Sequence, residues 1–230
     1  MKWRSALIIY LLILFSSVAT PVVKTTLGIP YNKDPTQGNT RPVIRSTIAG
    51  NYLFTYSPDG RIIIWNLLKN NIYRVFEGYN NVNIIQVNGD HLYIVIDNTV
   101  YVINWKTQEL ISMLRDAEAT IVRLIVMEED HKIYALTSIG YIYIWKDFSL
   151  HKRKKINSAV VYGAYCNNTL YVISPSGRFI LLDEDLKPVS DLDIGISDLQ
   201  KVVQDKCKLY AIHQNSVAQI TLSSLSLIHI

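Results

Sequence analysis

Two Asp-His pairs, Asp90-His91 and Asp130-His131, are by residue type the best metal-binding candidates in this chain, and Glu128-Glu129 stands just ahead of the second. Carboxylate and imidazole are ordinary ligands for a divalent ion, but a closed site needs about four of them in fixed geometry. The matching points of the other repeats carry Gly50-Asn51, Asn167-Asn168 and Asp205-Lys206. Turn preference therefore accounts for these residues without a metal, and no metal or cofactor is expected. Asp59, Asp97, Asp183 and Glu184 lie near turns and are the carboxylates to weigh for sugar hydrolysis. That chemistry requires two carboxyl groups roughly 5 to 9.5 Å apart across the cleavage site, and most of these acids resemble ordinary turn residues. A Cys, His and Asn or Asp nucleophilic set has no supporting local signature. Phosphate-cradling glycine loops, a nucleophile elbow and zinc-type cysteine spacings are missing as well. No catalytic residue is assigned, and the chain is expected not to be an enzyme.

Three other features bear on binding or modification. Cys166 and Cys207 are the two cysteines of the chain and fall near corresponding turns of adjacent repeats. In an oxidising compartment they are a candidate disulfide, although their offsets from the repeat marker, five residues and three, differ. Bridging requires Cα atoms roughly 4.4 to 6.8 Å apart. Asn167-Asn168-Thr169 is an acceptor sequence for N-glycosylation at Asn167. His151 is followed by Lys152, Arg153, Lys154 and Lys155, the one dense charge run. Such a run either protects an outer strand from pairing with another sheet or offers a basic contact to an acidic glycan, phospholipid or protein.

The elements that position these residues recur. An aliphatic-aromatic doublet opens a β-rich run at Leu53-Phe54, Leu92-Tyr93, Ile133-Tyr134, Leu170-Tyr171 and Leu209-Tyr210, with steps of 39, 41, 37 and 39 residues. That period is the length of a four-stranded propeller blade. In the second repeat, turn residues divide Asn81 to Val87, His91 to Ile96, Thr99 to Asn104 and Leu110 to Leu114 into strands A to D. The first parses as Val43 to Ile48, Tyr52 to Tyr56, Arg61 to Leu67 and Asn71 to Phe76. Trp65 and Trp145 fall at one strand position and Trp105 two places later. Packing between blades is their expected role, and a ligand-stacking aromatic box the alternative.

The stretch Ser57-Pro58-Asp59-Gly60-Arg61-Ile62-Ile63-Ile64-Trp65-Asn66-Leu67 resembles the turn and third strand of a WD40 repeat, and Val100 to Leu110 is similar to a quinoprotein-like (PQQ-like) repeat. The likeness covers residues from about 43 to 230 and implies an all-β β-propeller. The Gly-His and Trp-Asp pairs of WD40 repeats are absent, so the hydrogen-bonded tetrad of that family does not carry over. About five four-stranded blades are expected, at 43–78, 79–117, 118–156, 157–194 and 195–230. The chain begins on a strand A and ends on a strand D, so either five whole blades close without a shared blade or a partner completes them.

Ahead of the repeats, Met1 to Arg4 is basic, Ser5 to Phe15 almost wholly apolar, and Ser17-Val18-Ala19 small. Residues 1–23 read as a secretory signal peptide, with a membrane anchor helix as the rival. Residues 24–42, rich in Pro and Gly, read as a linker. Beyond Ala19 the chain carries 21 basic against 19 acidic residues, too small an excess to indicate nucleic acid. The expectation is an extracytoplasmic protein, secreted or envelope-bound, whose membrane contact is confined to the N-terminal segment. Its expected task is that of a non-enzymatic protein-interaction scaffold. A glycan-binding or glycan-hydrolysing propeller and a subunit completed by a partner are the alternatives.

Overall fold

The computed structural model describes residues 39–127, 130–193, 199–213, 216–222 and 226–229. The signal or anchor segment 1–23, nearly all of the linker and Glu128-Glu129 lie outside the described residues. Among the described residues every regular element is a β-strand, and the twenty strands form five antiparallel sheets of four. Blade one is β1 Arg45–Ala49, β2 Tyr52–Ser57, β3 Arg61–Asn66 and β4 Asn71–Phe76. Blade two is β5 Val82–Asn88, β6 His91–Ile96, β7 Thr99–Asn104 and β8 Leu110–Leu114. Blade three is β9 Ile121–Met127, β10 Lys132–Thr137, β11 Tyr141–Lys146 and β12 Ser149–Lys155. Blade four is β13 Tyr162–Cys166, β14 Thr169–Ile173, β15 Arg178–Leu182 and β16 Pro188–Asp193. Blade five is β17 Leu199–Asp205, β18 Lys208–His213, β19 Ser216–Thr221 and β20 Ser226–His229. The chain divides into two compact units, one ending at Ser112 and the other beginning at Met113. Blades one and two, apart from the last two residues of β8, lie in the first, and blades three to five in the second.

Within each unit the doublet works as a two-faced device, because successive residues of a strand point to opposite faces of its sheet. In unit one Phe54, Tyr56, Ile62 and Ile64 of blade one bury against Leu92, Ile94, Ile103 and Trp105 of blade two. Unit two repeats this: Tyr134, Leu136, Ile142 and Ile144 meet Leu170, Val172, Ile180 and Leu182. Tyr171, Ile173, Phe179 and Leu181 then meet Leu209, Ala211, Ala218 and Ile220. Within the units, the aromatic members Phe54, Tyr134 and Tyr171 thus face the following blade, and the aliphatic members Leu92, Leu170 and Leu209 the preceding one. Each such side chain adds roughly 1.5–3 kcal/mol by leaving water, so neither face of a blade is stable uncovered.

Turn chemistry closes the strands. The B–C turns of blades one, three and four end on Gly60, Gly140 and Gly177, with φ of 81°, 87° and 79°. Their amides bond back to the carbonyls of Ser57, Thr137 and Ser174 at 3.0 to 3.1 Å. At the other end of the blades, the C–D turn is clipped to the A–B turn by one amide. Leu67 donates to Asn51, Trp105 to Asp90, Asp147 to His131 and Leu222 to Cys207. The last residues assigned to the linker also dock: Asn39 donates to the Ser57 hydroxyl and accepts from Thr55, and the Thr40 amide bonds Asp59 at 2.7 Å.

Candidate functional site

An aromatic cluster stands at the A–B and C–D end of unit one. Tyr52 opens β2, Tyr73 lies on β4, and Trp105 follows β7. Ring centroids are 5.1 Å apart for Tyr52 and Tyr73, 4.9 Å for Tyr52 and Trp105, and 5.8 Å for Tyr73 and Trp105. Phe54 closes the cluster from below, edge-on to Trp105 at 5.4 Å. The tilted and edge-on geometries are those aromatic quadrupoles prefer. Trp105 is buried, and its indole N–H donates to the Gly89 carbonyl at 3.1 Å. It is a packing residue. Tyr73 remains 41% exposed.

A β-bulge aims Tyr73. The pairing of β3 with β4 runs Ile64 to Arg74 and then Trp65 to Ile72, which leaves Tyr73 as the extra residue. The same slip sets out His151 between Lys152 and Leu150 in blade three, and Val189 between Ser190 and Pro188 in blade four. A bulge re-directs its side chain, and in blade one that side chain is an aromatic. Around it, Arg74 lies over the Tyr73 ring at 5.5 Å and Lys106 over Trp105 at 5.5 Å. Lys106 is held by Asp90 at 2.6 Å, and its ammonium pKa is raised, first by that hydrogen bond.

This end also carries exposed apolar residues. Leu68 is 76% exposed at the C–D turn of blade one, where the Asn66 carboxamide oxygen caps the amides of Leu68 and Lys69. Leu67 beside it is also exposed, as are Leu110 and Ile111 on β8. As the last strand of its sheet, β8 presents an edge. Edge strands are commonly guarded by charge or proline: β4 carries Arg74, β12 its lysines, and β16 Pro188, Asp191 and Asp193. Leu110-Ile111-Ser112-Met113-Leu114 carries neither.

The residues singled out by sequence fall as follows. Asp90 takes Lys106, and Asp130 lies 3.7 Å from Lys132. Among the described residues no group of three or more metal-ligating side chains converges. Asp59 and Asp97 stand in B–C turns, whereas Asp183 and Glu184 stand in a C–D turn at the opposite end of a blade. Partial burial opposes the charge of Asp59. Hydrogen bonds from Ser57, from the Thr40 amide and hydroxyl and from the Arg61 amide outweigh it and hold the carboxyl below its usual pKa. Asp183 accepts the Lys187 amide at 2.7 Å. These are turn-building contacts.

The basic run lies on β12, the outer strand of blade three, and alternation splits it between two faces. Lys152 pairs with Asp185 of blade four at 3.0 Å, and Arg153 pairs with Glu118. Lys155 lies 5.1 Å over the Tyr141 ring, and Lys154 and Lys155 have no ion pair among the described residues. Asn167 is exposed in a two-residue hairpin turn with Asn168, at φ of 49° and 59°. Cys166 and Cys207 are joined, with Cα atoms 5.5 Å apart, within the bridging range despite their unequal offsets. Trp65 and Trp145 occupy equivalent places, opposite Leu53 and Ile133. Their indole N–H groups donate to Thr55 at 2.9 Å and to Asp116 at 2.7 Å.

No protein-family model and no curated protein matches the chain. Solved structures do: 1489 chains match, a breadth that marks a widespread fold and no single task. One belongs to the crystal structure of the mitotic checkpoint complex, with TM-score 0.69, 15% identity, 84% of this chain covered and 65% of that one. Another is the crystal structure of the computationally designed Ika8 protein, with TM-score 0.69, 15% identity, 84% of this chain covered and 62% of that one. The chain spans less than two thirds of the length of either. At such identity the likeness is one of fold, that of an all-β propeller built from five four-stranded blades.

Proposed function

We propose that this chain is a non-enzymatic protein-recognition platform, exported or membrane-tethered through residues 1–23, and that the aromatic end of unit one is its contact surface. The observation that carries this reading is the grouping there of exposed Leu67, Leu68, Tyr73, Leu110 and Ile111 over a braced aromatic cluster. Exposed apolar groups on a rigid support, with Tyr and Trp at the centre and cations at the rim, match the composition of protein contact sites. The checkpoint-complex likeness supports a partner-binding role by analogy of fold. The apolar leader and the joined cysteines support an oxidising, extracytoplasmic setting. The repeats are further read as WD40-like in blade one and quinoprotein-like in blade two, on the residues quoted above.

The test is affinity capture from an extracytoplasmic fraction, using the full chain and the variant Leu68→Asp/Tyr73→Ser. A stoichiometric protein retained by the wild type and lost by the variant is the expected result. Capture of no stoichiometric partner, or of the same partner by both, overturns the reading.

A further inference from the structure

The A–B turn of blade four carries the acceptor Asn167-Asn168-Thr169, the only sequence of that type in the chain, directly beside the disulfide. Asn167 and Asn168 are both exposed and make up the whole two-residue turn, at φ of 49° and 59°. Asparagine enters this left-handed region more readily than most side chains, and a tight hairpin of this kind needs it at both places. Below the turn, Thr169 pairs with Cys166, and Cys166 is tied to Cys207 in the A–B turn of blade five.

The bridge is open from one side. Cys166 is only 4% exposed, whereas Cys207 keeps part of its surface. An external thiolate therefore reaches the bridge at the Cys207 sulfur and expels that of Cys166. Asn167 Oδ1 lies 4.0 Å from Cys207 Sγ. A group carried on the same carboxamide, at Nδ2, begins beside the sulfur that would be attacked.

We propose that Asn167 carries an N-linked glycan and that this glycan shields the Cys166–Cys207 bridge from reduction. In the transfer, Nδ2 bonds the anomeric carbon of a sugar held on a lipid phosphate donor. The bond from that carbon to the phosphate oxygen breaks, the lipid phosphate leaves with the electron pair, and one Nδ2 proton passes to a base of the host transferase. The transfer precedes closure of the turn. Once folded, the Thr169 hydroxyl donates to the Asn167 carbonyl at 3.4 Å, and its backbone is held opposite bridged Cys166, so a transferase cannot draw Asn and Thr into its own site. A bulky, hydrated chain on this turn then covers the approach to Cys207. The proposal rests on the export read from residues 1–23 and is independent of the contact surface of unit one.

Mass spectrometry of the full chain, recovered from the extracytoplasmic fraction of its own cells, tests the site. A glycan mass on the peptide that holds Asn167 is expected. Thr169→Val keeps a β-branched side chain but removes the hydroxyl and should lack the glycan; Asn168→Gly should keep it. Cys166→Ala/Cys207→Ala should be modified at least as fully as the wild type, and lower occupancy would overturn the order of events. Bridge reduction by dithiothreitol should run roughly threefold or more faster in Thr169→Val than in the wild type. Enzymatic removal of the glycan from the folded wild type should speed it equally, a readout independent of the folding of any variant. A chain exported with Asn167 bare overturns the proposal and leaves the export intact, and a chain found only in the cytosol overturns both. A glycan whose removal leaves the reduction rate unchanged overturns the shielding.

Discussion

At the scale of single residues, the turns are held tightly, in part by the acids first weighed for chemistry. A Cβ on Gly140 would stand 2.2 Å from the Ser158 carbonyl oxygen and 2.8 Å from that of Ile156, and the residue sits at φ 87°. Backbone atoms cannot swing aside, so Gly140→Ala should cost on the order of 3 kcal/mol or more, read as a lowered urea midpoint. Asp59 makes a pH prediction. Its folded pKa is depressed, so its contribution to stability is whole above the unfolded value and fades as pH falls through the folded one. Asp59→Asn should therefore lower Tm at neutral pH and narrow its gap to the wild type between about pH 4 and pH 2. An equal gap at both pH values would mean that the carboxylate charge is not what Ser57 and Thr40 hold. The turn roles of Asp59 and Asp90 were legible in sequence because Asp beside Gly or Pro is a local signal. Tyr73 was not, since a bulge is a property of two paired strands and β4 alone gives no sign of it.

At the scale of elements, strand boundaries followed the punctuation closely. Strands B, C and D of blade two begin and end where turn residues placed them, and strand A differs by one residue at each end. The first strand starts at Arg45 and not Val43, because pairing with β2 begins at Arg45 opposite Tyr56. Blade five is tied to blade four by the shared apolar core and by Cys166–Cys207. A crosslink spanning 41 residues limits the unfolded chain by about 4 kcal/mol. Cys166→Ala/Cys207→Ala should lower the unfolding free energy by roughly that amount or somewhat less, and reductant should do the same to the wild type but not to the variant. Hydrogen exchange should place the loss in β17 to β20. Gly163 adds a packing test, for its Cβ would meet Leu136 Cδ2 at 2.5 Å. Gly163→Val should destabilise by about 1–3 kcal/mol, and Leu136→Ala in the same chain should recover part of it.

At the scale of the whole molecule, the proposed function rests on what the blades leave uncovered. Leu68→Asp/Tyr73→Ser removes two exposed side chains, and its Tm should stay within a few degrees of the wild type. Partner capture is expected to fall all the same, which separates recognition from folding. Light scattering on the full chain at micromolar concentration should return the mass of a monomer if the blades are self-sufficient; a partner-completed chain would associate or unfold at low temperature.

The repeat of about forty residues, the doublets and the turn signals determined blade number and strand order without any coordinates, because period-two alternation and turn preference are local. The sequence also identified Cys166 and Cys207 as candidates. Whether they met was decided by the tertiary structure, which sets β13 beside β17. The contact surface has the same origin. Tyr52, Tyr73 and Trp105 are scattered along one unit, and Arg123 and Tyr162, 39 residues apart, meet in the other. Only the stacking of one blade on the next brings such residues together, since that is where burial is shared between distant parts of a chain.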